Sequence, residues 1–135
     1  MKAKFLSFAV ALLVLLTITI VYANNPKWTK APCVNGNTIT GMATGLGTGP
    51  YELHITGLYD CVNKGGNTPR SANWSNLDIV VPVTSKQTGG NFKISAVIPS
   101  QCDHANWTFL TKDLQVTLIQ NGTEVISATP APSCN

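Results

Sequence analysis

Beyond residue 36, apolar and polar positions alternate in short runs. Tyr51, Leu53, Ile55, Gly57, Tyr59 and Cys61 share one parity, against Glu52, His54, Thr56, Leu58 and Asp60. A period of two predicts a strand with one apolar face. Leu77, Ile79, Val81 and Val83 repeat the pattern, as do Phe92, Ile94, Ala96 and Ile98, and Leu114, Val116 and Leu118. Residues 37–44 read as a further strand, and Trp107-Thr108-Phe109-Leu110 as a short one before Asp113. Pro82 has no N–H for a ladder, so its strand belongs at an edge or carries a bulge. Asn121-Gly122 is the strongest short hairpin signal in the chain. A last strand near Glu124–Thr129 returns from it, with either Val125 or Ile126 facing inward. No helical period follows residue 23. Six or seven short antiparallel strands predict an all-β fold, a two-layer β-sandwich of immunoglobulin-like type, with a small barrel as the alternative.

The first 23 residues follow a different rule. Lys2 and Lys4 precede an uncharged, mostly apolar run from Phe5 to Val21, and Val21-Tyr22-Ala23 offers small residues for cleavage. This is the layout of a secretory signal peptide, expected to be cut after Ala23. A retained anchor is the alternative, weakened by Thr17 and Thr19. The expected domain is therefore residues 24–135, secreted or at the cell surface and free of the membrane after cleavage.

Four cysteines, Cys33, Cys61, Cys102 and Cys134, fit two disulfides in an exported domain. Four allow three pairings. If residues 37–44 and 51–60 form a hairpin about the turn-rich Gly45–Pro50, Cys33 and Cys61 face each other at its open end, within reach of a disulfide. The expected pairs are then Cys33–Cys61 and, by elimination, Cys102–Cys134. A Cys₄ zinc site would want a CxxC spacing, and none occurs.

Charge narrows the functions. From Asn24 onward seven basic residues meet six acidic ones, a net charge of +1. A nucleic-acid footprint needs clustered positive charge, so no nucleic-acid partner is expected. The carboxylates are scattered, no metal or cofactor is expected, and GxSxG, HExxH, P-loop and GxGxxG motifs are missing. His54 reads as a solvent-facing strand residue beside Glu52 and Thr56. Cys102-Asp103-His104 holds nucleophile, acid and base types. Neighbours on an extended chain point to opposite faces, however, and an oxidised Cys102 cannot attack. Three sequons, at Asn73, Asn106 and Asn121, are expected to stay unmodified, and Asn121 is explained by its turn.

Asn63–Asn76 breaks the rhythm with fourteen polar and turn-forming residues, NKGGNTPRSANWSN. A Trp in such a loop more often covers core than binds ligand, and that is the preferred reading of Trp74. If the chain binds sugar, Trp74 would stack on it while Arg70 and Asn67 hydrogen-bond its hydroxyls.

Two blocks carry a resemblance. One is Gly45-Leu46-Gly47 with Cys61-Val62-Asn63-Lys64-Gly65-Gly66-Asn67. The other is Cys102-Asp103-His104-Ala105-Asn106-Trp107-Thr108 with Ile119-Gln120-Asn121-Gly122. Together they resemble a loose group of small exported bacterial proteins with a GLG…CxNxGGN…CxxxNWT…QNG pattern. Members often have Pro where Lys64 stands. The resemblance implies an exported β-rich domain and carries over no catalytic residue. The expected function is a secreted, non-catalytic binding or structural module, its partner a glycan or a surface protein. The alternatives are an assembly subunit acting through strand edges and a small secreted hydrolase.

Overall fold

The computed structural model describes residues 25–65 and 74–135. Eight strands form in chain order: β1 (Lys27–Asn35), β2 (Thr38–Thr44), β3 (Tyr51–Val62), β4 (Ser75–Pro82), β5 (Thr84–Thr88), β6 (Asn91–Val97), β7 (Thr108–Gln120) and β8 (Thr123–Ala128). They build two antiparallel sheets, ordered β1-β2-β6-β5 and β4-β3-β7-β8. The sheets meet over one core. Ile39, Ala96 and Ile94 come from the first, and Leu53, Ile55, Leu77, Val116 and Leu118 from the second. The fold is a β-sandwich, as the alternation requires.

Two strands carry no alternation signal, which raises the number above the expected six or seven. β5 is TSKQT, exposed at every position, so hydrophobic patterning is blind to it. β1 contains Pro32 and two register shifts, so its apolar residues do not keep a period of two. The expected strands at 107–110 and 114–119 are in turn one strand, β7, interrupted by a bulge. β4 lies at a sheet edge, where Pro82 needs no ladder partner on its outer side. Asn121 (φ 50°) and Gly122 (φ 78°) form the two-residue β7–β8 turn, both in the left-handed conformation such a turn demands. The ambiguous register of β8 is settled by a shift opposite Leu118 and Ile119. Both Val125 and Ile126 pack against the core.

The disulfide expectation was wrong. The bonds are Cys33–Cys134 and Cys61–Cys102, not Cys33–Cys61 and Cys102–Cys134. The error lies in the supposed hairpin. β2 and β3 belong to different sheets, so Gly45–Pro50 crosses between layers. The true partner of β2 in a hairpin is β1, joined by a turn with Gly36 at φ 61°, and Cys33 lies opposite Thr40. From there Cys33 meets the C-terminal segment. Ala131 pairs with β1 in parallel, exchanging Val34 N–H to Ala131 O (3.0 Å) and Ala131 N–H to Pro32 O (2.9 Å). The C-terminus thus covers the free edge of β1.

The crossover is held by the β7–β8 turn. The Gln120 amide, buried at 7% exposure, accepts from Gly47 N–H and donates to Thr48 O, both at 3.2 Å. Asn121 Nδ2 donates to Thr48 O at 2.9 Å, and the Tyr51 hydroxyl donates to Gly47 O. The Gly45-Leu46-Gly47 and Gln120-Asn121-Gly122 blocks, remote in sequence, therefore touch. The Cys61–Cys102 bond joins the other two blocks in the same way.

Candidate functional site

The outer face of the β4-β3-β7-β8 sheet gathers most of the chemistry. Alternation puts Leu114, Val116 and Leu118 of β7 inward, and would send Lys112 inward with them. A bulge prevents this. Thr56 lies opposite Gln115, yet Leu58 lies opposite Lys112, so β7 holds one extra residue there. Asp113 takes it up at φ 54°, a conformation that Asp tolerates better than most residues. The parity of β7 flips beyond it. Phe109 turns inward, its ring centroid 5.7 Å from that of Tyr59, and Lys112 turns outward.

Across β3, the Lys112 ammonium lies 4.2 Å from the centroid of the half-buried Trp74 ring. Trp74 immediately precedes β4 and shares the outward parity of Asn76 and Asp78. Leu110 is exposed on the same side of β7. Asp60 on β3 folds back, its Oδ1 accepting from Cys61 N–H at 2.8 Å. The Cys61–Cys102 bond anchors the loop before β7, where the His104 and Trp107 rings lie 4.4 Å apart. Of the three candidate sugar ligands, Trp74 is therefore placed, and Asn67 and Arg70 lie outside the described residues.

Further along the same face, His54 is flanked by two carboxylates. Its Nε2 is 2.7 Å from Asp78 Oδ1 on β4, and its Nδ1 is 3.7 Å from Glu124 Oε1 on β8. The hydrogen bond His54 donates to the Asp78 carboxylate raises the His54 pKa above the ordinary imidazole value. Partial burial opposes the rise, while the charges of Asp78 and Glu124 add to it. The rest of the face is hydroxyl and amide: Thr117 to Ser127 at 2.8 Å, and Gln115 Nε2 to Thr129 Oγ1 at 2.6 Å. His54 is on the outer face, as its parity required. Its two carboxylate neighbours come from strands 24 and 70 positions away, so alternation had no means of finding them.

An imidazole facing carboxylates through both nitrogens is favoured in its protonated form. Cys102 and Cys61 are joined and carry no thiolate. Among the described residues, no group of three or more His, Cys, Asp or Glu side chains is arranged to hold a metal ion. No protein family, curated protein or solved structure matches the chain.

Proposed function

We propose that the chain is exported after loss of residues 1–23 and acts at or outside the cell surface as a non-catalytic, immunoglobulin-like binding module. The strand order supports the fold reading. Sheet β1-β2-β6-β5 against β3-β7-β8, with β4 added beside β3, follows the strand order of a constant immunoglobulin-type domain plus one strand. Two disulfides support export, since such bonds persist in oxidising compartments.

The ligand is a glycan, received at the Trp74 end of the β4-β3-β7-β8 face. The carrying observation is the Lys112–Trp74 pair, 4.2 Å apart and set by a bulge in a disulfide-anchored strand. An indole face stacks on sugar C–H groups, and a neighbouring ammonium donates to hydroxyls. Rigid placement lowers the ordering cost of binding. Arg70 and Asn67, close to Trp74 in sequence, supply further donors. Glu52, Asp60, Asp78 and Glu124 share this face, so a neutral glycan suits it better than an acidic one.

The test is titration of the purified oxidised protein against a panel of glycans and cell-wall polymers, with Trp74→Ala and Lys112→Ala alongside. Saturable binding lost in Trp74→Ala and weakened in Lys112→Ala supports the reading. Failure of the wild-type protein to bind any polymer rejects it.

A further inference from the structure

The charged residues are sorted between the two sheets. Lys27 and Lys30 on β1, Lys86 on β5 and Lys93 on β6 belong to the first sheet, and its four strands hold no Asp or Glu. The second sheet holds Glu52 and Asp60 on β3, Asp78 on β4, Asp113 on β7 and Glu124 on β8, against the single cation Lys112. Counting Asp, Glu, Lys and Arg alone, the strands of one sheet carry +4 and those of the other −4, or −3 with His54 protonated. The modest net charge conceals a bipolar molecule.

Register sharpens the pattern. Lys30 lies opposite Met42, Met42 opposite Lys93, and Lys93 opposite Lys86, so one row of the outer face crosses all four strands with three lysines. The next row is Lys27, Thr44, Asn91 and Thr88. All four lysines are exposed. Like charges directly opposed across a ladder are destabilising, and nothing in the core requires Lys86 and Lys93 to face each other. On the opposite side of the molecule, Pro82, Glu52, Ile119 and Glu124 form one row, and Asp78 with Thr56 and Gln115 another. Exposed carboxylates stand there at a matching scale.

We propose that the occupant of the lysine face is the carboxylate face of a second copy of this chain. The sandwiches would stack face to face in a head-to-tail array, the contact centred on the Glu52–Glu124 and Asp78 rows and leaving the Trp74–Lys112 end of that face open to its glycan. A polyanion would account for the lysine row alone. A second copy accounts for both faces, and for their positions on opposite sides of one rigid body. The contact is heterologous, using different patches on each partner, so it propagates rather than closing at a dimer. A face of four strands by seven residues spans about 19 by 23 Å. That falls short of the ~800 Å² per partner of a standard stable interface. The association is therefore weak, reversible and governed by charge.

The experiment is light scattering and sedimentation of the purified oxidised protein over a concentration series in two salts. At about 0.01 M ionic strength charges reach ~30 Å, and at 1 M only ~3 Å. Concentration-dependent growth in low salt that disappears in high salt is expected. Two charge-reversed variants, Lys86→Glu/Lys93→Glu and Glu52→Lys/Glu124→Lys, should each associate more than tenfold more weakly alone. Their equimolar mixture should associate again, because each then offers the face the other lacks. Circular dichroism checks that both are folded, and Lys86→Gln/Lys93→Gln replaces the first if reversal prevents folding. A wild-type protein that stays monomeric in low salt overturns the proposal. So does a lysine variant that assembles as well as wild type. Salt-sensitive binding to anionic vesicles or polymers by a monomeric wild type would assign the lysine face to a polyanion and overturn it equally.

Discussion

Gly57 is the position where one added methyl group should do the most harm. It sits in β3 opposite the Asp113 bulge, with φ at +152°, a conformation L side chains rarely adopt. A Cβ there would lie 2.9 Å from Leu114 Cδ2 and 3.0 Å from the carbonyl oxygens of both Lys112 and Asp113. Leu114 is a core side chain and the two oxygens are backbone, so none of the three moves cheaply. Backbone strain costs about 1–3 kcal/mol and overpacking about 1–3 kcal/mol more. Gly57→Ala should therefore lose about 2–6 kcal/mol, a fall of roughly 10–30 °C in Tm for a domain of this size. Gly36→Ala is the matched control. Its φ is also positive, at +61°, but nothing lies within 4 Å of the added methyl. It should lose about 1 kcal/mol. Asp113→Gly should not destabilise, because glycine accepts φ 54° freely, whereas Asp113→Ala should cost about 1 kcal/mol. Denaturant midpoints of the oxidised proteins measure all four. A Gly57→Ala loss no larger than that of Gly36→Ala would refute the reasoning, and with it the bulge that turns Lys112 toward Trp74.

Other outcomes follow from the same geometry. Peptide mapping without reduction should recover Cys33 linked to Cys134 and Cys61 linked to Cys102. The pairs close loops of 101 and 41 residues, and one loop is nested inside the other. Replacing either pair by Ala should then cost about 4 kcal/mol in the loop-entropy account, with the two costs within about 1 kcal/mol of each other. A Cys33–Cys61 peptide would reject the crossover between layers. His54 should make stability depend on pH. Its folded pKa is raised, so its contribution is fully present below the ordinary imidazole value and is lost as pH rises through the folded value. His54→Gln should narrow the difference between midpoints measured at about pH 6 and pH 8. An unchanged pH profile would mean that the carboxylates do not engage the ring in solution.

Alternation was enough to predict an all-β, two-layer fold. Burying one face of each strand demands period two, and Leu53, Ile55, Val116 and Leu118 keep it wherever the backbone is regular. The Asn121-Gly122 turn and the edge position of Pro82 were legible because each rests on a constraint local to one or two residues. β5 was illegible because it buries nothing, and β1 because bulges and Pro32 erase its period.

What only tertiary structure decided is everything that depends on which strand becomes whose neighbour. A six-residue Gly45–Pro50 connection serves a hairpin or a crossing between sheets equally well, and choosing wrongly misassigned both disulfides. One extra residue at Asp113 reversed the facing of Lys112, because side-chain direction in a strand depends on parity and parity is lost at a bulge. The His54 carboxylates and the lysine row have the same origin. A net charge of +1 is a property of the chain, but its division into a +4 sheet and a −4 sheet exists only after β1, β2, β5 and β6 have come together on one side.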